Sequence, residues 1–161
     1  IASCTSVFAN PAPLGIELNK TTLNEVKEKY SVTSSTPNAT DGYYNNSLDI
    51  NNIDIKTLSE VKAISNSNEI IEVLLLTLDK SQFNEVYSSL ASKYQLMTQK
   101  IPPVGNKSAE FEDGDCVIYI SAPHMSFSMT VAYATKHFIT QYTNRTEQDI
   151  QEEKEKNKKL F

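Results

Sequence analysis

The 161-residue chain has no tryptophan, four glycines, two histidines, two cysteines and no apolar run long enough for a membrane helix. Four glycines form no glycine-rich phosphate loop. Two cysteines allow one disulfide at most. The formal net charge of −5, without a basic stripe, argues against a nucleic-acid partner. These absences exclude several common functional classes and leave a small domain that binds something other than nucleotides or nucleic acid.

The reactive side chains form no recognisable catalytic or metal-binding set. His124 is close in sequence to Ser126 and Ser128, but the chain has no Gly-x-Ser-x-Gly elbow and no third group to orient a base. Cys116 and His124 lack the further paired ligands of a structural zinc site. We therefore expect no enzyme activity, no metal and no cofactor. A hydrolase built on His124 is the least favoured alternative.

The first residues resemble an export signal. Ile1-Ala2-Ser3-Cys4 matches the last four positions of a bacterial lipobox, in which Cys4 would be acylated, and Val7-Phe8-Ala9 fits a small-x-small cleavage site. Residues 1–13 are then an export-signal remnant or a lipoprotein tether, and the alternative is that Ile1 to Ala9 is an ordinary frayed terminus. This pattern predicts a periplasmic protein, free or anchored by lipid on Cys4, with secretion as the alternative. A membrane contact is expected only through that lipid.

A short pattern occurs twice in the chain. Leu23-Asn24-Glu25-Val26 recurs as Phe83-Asn84-Glu85-Val86, and each copy leads to a Lys-Tyr pair and a β-prone segment. The spacing predicts two tandem units, each a helix followed by antiparallel strands, over about residues 14–78 and 79–134. Together with the following residues they form one domain over 14–144.

Capping signals place the two helices. Thr22 and Glu25 form a capping box that predicts a first helix at about 22–30. Asp79 is a good N-cap for a second helix. The apolar stripe of that helix is Phe83, Val86, Tyr87, Leu90 and Tyr94.

Apolar runs and turn signals place the strands. Residues 60–78 predict a hairpin whose second strand lies in the apolar run Ile70–Leu78. Asp113-Gly114 predicts a second hairpin. Alternating apolar side chains from Met125 to Tyr133 predict an amphipathic strand. Residues 135–161 are helical in pattern, and the charged part, 145–161, is expected to be a solvated helical or frayed tail.

These elements predict an α+β fold in which both tandem units share one antiparallel sheet, with the two helices on one face and a C-terminal helix following. The segment from Gly15 to Val26 is similar to the glycine-apolar-x-x-glycine-x-threonine pattern at the first helix of the β-lactamase inhibitor proteins and the related small outer-membrane-assembly lipoprotein domain. Asn19 stands where that family has its second glycine. The resemblance implies protein binding through an exposed sheet face and loops.

Tyrosine is the most suggestive residue for binding, because it is rigid, amphipathic and favoured at interfaces. Four tyrosines fall on predicted strands and, with two serines of the last strand, form the predicted recognition surface: Tyr43, Tyr44, Tyr119, Tyr133, Ser126 and Ser128. We expect a non-enzymatic protein of the bacterial envelope whose partner is another envelope protein. The alternative is a carrier of a small apolar ligand, lined by Ile70–Leu78 and the Met125, Phe127 and Met129 stripe.

Overall fold

The protein is an α+β domain built on one eight-stranded antiparallel sheet, described by a computed structural model that covers residues 10–161. The lipobox, the alternative cleavage site and Cys4 lie outside the described residues. The helices are α1 (Leu23–Lys29), α2 (Phe83–Lys93) and α3 (Lys136–Leu160), and the strands are β1 (Val32–Pro37), β2 (Tyr44–Leu48), β3 (Glu60–Ser65), β4 (Ile71–Asp79), β5 (Gln95–Lys100), β6 (Lys107–Asp113), β7 (Cys116–Ala122) and β8 (Ser128–Thr135). The predicted fold class, including the C-terminal helix, is confirmed.

The strand order is β1-β2-β3-β4-β8-β7-β6-β5. Each run of four strands therefore proceeds from one edge of the sheet to its centre, where β4 pairs with β8 from Val73↔Ala134 to Asp79↔Ser128. The first run follows α1 and the second follows α2. The order is symmetric about the β4–β8 pair, and the duplication itself stays a prediction.

The helix α1 begins as its cap predicts. The Thr22 hydroxyl accepts a hydrogen bond from the Glu25 amide at 3.2 Å. Its apolar residues Leu23 and Val26 are buried in the core. The helix ends at Lys29, and the hydroxyl of the following Tyr30 donates to the Leu14 carbonyl at 2.7 Å.

The second helix starts four residues after its predicted cap. The Asp79 carboxylate accepts from the Ser81 amide at 2.8 Å and so caps a 3-10 turn, Lys80–Gln82, from which α2 continues. Phe83 and Leu90 are buried in the same apolar cluster as the core side of α1. Both helices therefore lie on one side of the sheet, which we call the helix face. The largest fully buried core side chains there are Ile16, Leu18, Ile71, Leu74, Phe111, Ile118, Ile120 and Met129.

The last strand is shorter than predicted. Residues 125–127 are a loop, and the side chains of Met125 and Phe127 are 90% and 93% exposed, whereas Met129 is buried. The reason is the end of the neighbouring strand: Ser128 pairs with Asp79, the last residue of β4, so Phe127 has no ladder partner. The predicted Met125, Phe127 and Met129 stripe is therefore wrong.

Phe111 and Phe127 offer a matched pair for testing the core. Phe111 is fully buried and Phe127 almost fully exposed. We expect Phe111→Ala to lower the free energy of unfolding by about 3–5 kcal/mol, because it leaves a cavity beneath α2. Phe127→Ala should change it by less than about 0.5 kcal/mol. Urea unfolding followed by circular dichroism measures both, and similar losses would contradict the assigned core.

Candidate functional site

A buried carboxylate holds the start of α3. Thr135, the N-cap residue, accepts from the Phe138 amide at 3.0 Å and donates its hydroxyl proton to Glu72 Oε1 at 2.7 Å. Asn66 donates to Glu72 Oε2 at 2.9 Å. Glu72 itself, on the central strand β4, is buried. The first turn of the C-terminal helix is thereby tied to the middle of the sheet.

His137 and Tyr43 complete this group, which we call the Glu72 cluster (Tyr43, Asn66, Glu72, Thr135, His137). Nδ1 of His137 lies 3.1 Å from Glu72 Oε1 and 3.1 Å from the Tyr43 hydroxyl. A polar pocket of about 300 Å³ lies beside the cluster and is lined in part by Asp41 and Gln141.

Hydrogen bonding decides the ionisation of the cluster. Burial alone would raise the pKa of Glu72, but the bonds from Thr135, Asn66, His137 and Tyr43 outweigh it and hold that pKa below its ordinary value. Burial, and then the neighbouring carboxylate, raises the pKa of Tyr43. The carboxylate is therefore charged and the phenol protonated at neutral pH. A protonated phenol is a poor nucleophile, so this arrangement positions α3 better than it supports covalent catalysis.

Beyond its first turn, α3 lies over the second side of the sheet, which we call the open face. Phe138 packs edge to face on Tyr43 with ring centroids 4.9 Å apart and stacks on Tyr142 at 6.2 Å. Further along, Arg145 lies 3.5 Å from Asp41 in the β1–β2 loop. These contacts fix the proximal part of the helix, whereas its second half is exposed.

A groove of about 680 Å³ runs between α3 and the open face. We call it the α3 groove. The small side chains of Ala132 and Ala134 on β8 leave the space for this groove. The apolar residues on its sheet side are Ile64, Val73, Leu75, Val117, Ala132 and Ala134. The helix contributes Phe138, Ile139 and Tyr142.

The polar groups of the α3 groove are few. Among the lining residues in the described part of the chain, Glu110 of β6 is the single carboxylate, and none is a lysine or arginine. Asn38, Thr143 and the tyrosine hydroxyls supply neutral hydrogen-bonding groups. Among residues 10–161, no group of three or more metal-ligating side chains is present. The site therefore suits an apolar occupant that carries few charges.

The structure separates the four predicted tyrosines. Tyr119 lines the α3 groove, 45% exposed, and Tyr43 is buried next to it beneath Phe138. Tyr44 follows Tyr43 in the chain and so points to the helix face, and Tyr133 packs against the core there. Burial raises the pKa of Tyr133 to about 12. The four therefore do not share one recognition surface.

The two predicted serines also lie away from the groove. The Ser126 and Ser128 hydroxyls are 3.2 Å apart, in the β7–β8 loop and at the start of β8. Ser126 is thus paired with Ser128 and not with His124. The backbone amide of His124 donates to Asn106 Oδ1 at 2.8 Å. Nothing in this loop assembles the geometry of a serine hydrolase.

Sequence reasoning missed both Glu72 and the helix side of the groove. Glu72 is the single charge in the apolar run Ile70–Leu78, and such a charge in a central strand is itself a signal of buried hydrogen bonding. Thr135 carried an N-cap signal before the final helix. The small residues Ala132 and Ala134 gave no signal, because a groove depends on what packs above them.

No protein-family model matches the chain, and comparison with curated proteins and solved structures finds no similar protein. The resemblance to β-lactamase inhibitor proteins therefore stays a prediction. No helix in the described part of the chain is long and apolar enough to cross a bilayer.

The Glu72 cluster predicts a specific acid dependence of stability. Because the folded-state pKa lies below the unfolded value of about 4.3, the carboxylate stabilises the fold above that value and loses this contribution as pH falls through the folded pKa. Glu72→Gln should cost about 1–3 kcal/mol at neutral pH, since it disrupts several buried hydrogen bonds. The difference in unfolding free energy between wild type and Glu72→Gln should become smaller as the pH falls.

Chemical unfolding across the acid range measures this difference. Glu85→Gln, on the exposed side of α2, is the matched control and should follow the wild-type curve. A Glu72→Gln deficit that stays constant at every pH would contradict an ionised, hydrogen-bonded Glu72.

Proposed function

We propose that this chain is a non-enzymatic binding protein of the bacterial envelope, and that an apolar segment of another envelope protein docks in the α3 groove. The observation that carries the proposal is the groove itself, an apolar space of about 680 Å³ between α3 and the sheet. Exposed apolar surface of this kind is typical of binding sites.

Two tyrosines strengthen the case for a protein partner. Tyr119 and Tyr142 contribute to the groove and are 45% and 55% exposed, so each keeps a ring free to contact an incoming segment. Tyrosine is enriched among the residues that dominate binding energy at protein interfaces.

The Glu72 cluster supports a positioning role and gives no support to an enzyme. Its carboxylate is committed to side chains that start α3. The envelope location rests on the pattern around Cys4, outside the described residues. The symmetric strand order supports an origin by duplication of a helix-then-strands unit.

A small apolar ligand is the second candidate. The groove volume lies within the roughly 300–1,000 Å³ of small-molecule sites, and its lining is mostly apolar with a few polar groups. This carrier differs from the one expected from sequence, because Val73 and Leu75 line the site but Met125 and Phe127 do not.

The proposal predicts that filling the groove abolishes docking. Ala132 lies between Leu75 and Tyr119 on neighbouring strands, so Ala132→Phe places a ring on the groove floor. A photo-cross-linking amino acid at position 142 should capture an envelope protein from an extract of the source organism. Ala132→Phe should reduce this product about tenfold or more, because the new ring takes the place of one large buried group of the partner.

The same cross-linker at position 34, on the exposed edge strand β1, is the control and should give no such product. Products that are equal at both positions, or unaffected by Ala132→Phe, would contradict the docking site. Nile red titration separates the candidates: saturable binding lost in Ala132→Phe, without any cross-linked protein, would favour the small ligand.

A further inference from the structure

Met125 and Phe127 expose two large apolar side chains on a short loop at one end of the sheet, far from any role in the α3 groove. Val104, in the β5–β6 loop, is 76% exposed. Both loops leave the same end of the sheet, because β5 and β7 each pair antiparallel with β6. We call these three side chains the apolar tip.

Hydrogen bonds hold the tip in a fixed shape. The Lys80 amino group donates to the carbonyls of Pro123 and His124 at 2.7 and 3.1 Å, and the Lys80 amide donates to the Phe127 carbonyl at 2.9 Å. Asn106 accepts from the His124 amide and so joins the two loops. The carbonyls of Pro123, His124 and Phe127 are thus hydrogen-bonded within the protein, while the side chains of Met125 and Phe127 are exposed.

The two loops of the tip and the strand ends that flank them (100–107 and 122–128) carry lysine and no carboxylate, although the chain as a whole is acidic. No Asp or Glu occurs between Glu85 and Glu110, or between Asp115 and Glu147. Lys100 is the last residue of β5, and Lys107 is the first residue of β6, so one lysine stands on each side of the β5–β6 loop. Of the acidic residues between those stretches, Glu110 lies within β6, and Glu112, Asp113 and Asp115 lie at or beside the β6–β7 turn, at the opposite end of the sheet.

Asp79 is the carboxylate beside the base of the β7–β8 loop. It is engaged as the cap of the turn at Ser81, and hydrogen bonding to Ser81 lowers its pKa. Asp79 therefore remains charged. The lysines of the same turn and beside the β5–β6 loop are Lys80, Lys100 and Lys107.

We propose that the apolar tip is a membrane-binding surface that inserts Val104, Met125 and Phe127 into the interface of an anionic bilayer, with the exposed Lys100 facing the headgroups. A deformable lipid surface accepts a few exposed apolar side chains, whereas a stable protein interface buries about 800 Å² per partner, more than three side chains supply. Apolar side chains flanked by cations are the combination that anionic interfaces bind.

The absence of tryptophan provides a direct reporter. In Phe127→Trp the full 161-residue chain carries one tryptophan, and its emission should shift to the blue when vesicles of phosphatidylcholine and phosphatidylserine are added. Tyr119→Trp, in the α3 groove, is the matched control and should not respond. A blue shift that is absent for Phe127→Trp would overturn the proposal.

Vesicle flotation tests the contribution of each group. Met125→Ser combined with Phe127→Ser should weaken partitioning by about tenfold or more. Both side chains are exposed, so we expect the double variant to fold, and circular dichroism checks this. Lys100→Glu should weaken partitioning by about fivefold or more on anionic vesicles and little on pure phosphatidylcholine. Lys154→Glu, on the exposed half of α3, is its control.

Partitioning that is equal for wild type and the serine double variant would overturn the lipid assignment. The proposal would also be overturned if vesicles bound neither the wild type nor the variants, while the serine double variant lost the protein cross-link formed from position 142. Because Ala132→Phe alters the groove and leaves the tip unchanged, failure of this proposal and failure of the docking proposal give different results.

Discussion

A buried carboxylate must be satisfied by hydrogen bonds, and Glu72 meets this requirement with groups from separate parts of the chain. Asn66 comes from the β3–β4 turn, Tyr43 from the start of β2, and Thr135 and His137 from the junction of β8 and α3. One side chain on the central strand thus determines where the C-terminal helix leaves the sheet. The positive end of the α3 dipole adds a favourable interaction with this carboxylate.

The two faces of the sheet differ as a consequence. On the helix face, α1 and α2 seal a continuous core that includes Val26 and Phe111. On the open face, α3 is held at its start by the Glu72 cluster and further along by Arg145 near Asp41, and it spans residues as small as Ala132 without filling the space above them. The groove is therefore a product of how α3 is anchored, and binding there depends on that anchor.

Local signals were sufficient for most of the fold. The Thr22 cap, the turn near Gly114 and the apolar run that became β4 each depend on a few neighbouring residues, and the sequence predicts them correctly. Signals that depend on distant partners were not readable. Two partners of Glu72, Thr135 and His137, follow it by 63 and 65 positions in the chain. The alternation of apolar residues around Phe127 also does not show that β4 ends opposite Ser128. Spacing likewise placed the tyrosines on strands without assigning their faces.

Amide hydrogen exchange on the α3 backbone tests the anchoring most directly. In the wild-type protein we expect the amides around Phe138 to Tyr142 to be protected nearly as well as those of β4, with exposed residues after 146 exchanging fast. In Glu72→Leu, protection should be lost across that first part of α3 while β6 and β7 keep theirs. Unchanged protection of α3 in this variant would contradict the account, because the helix would then hold its place without the carboxylate.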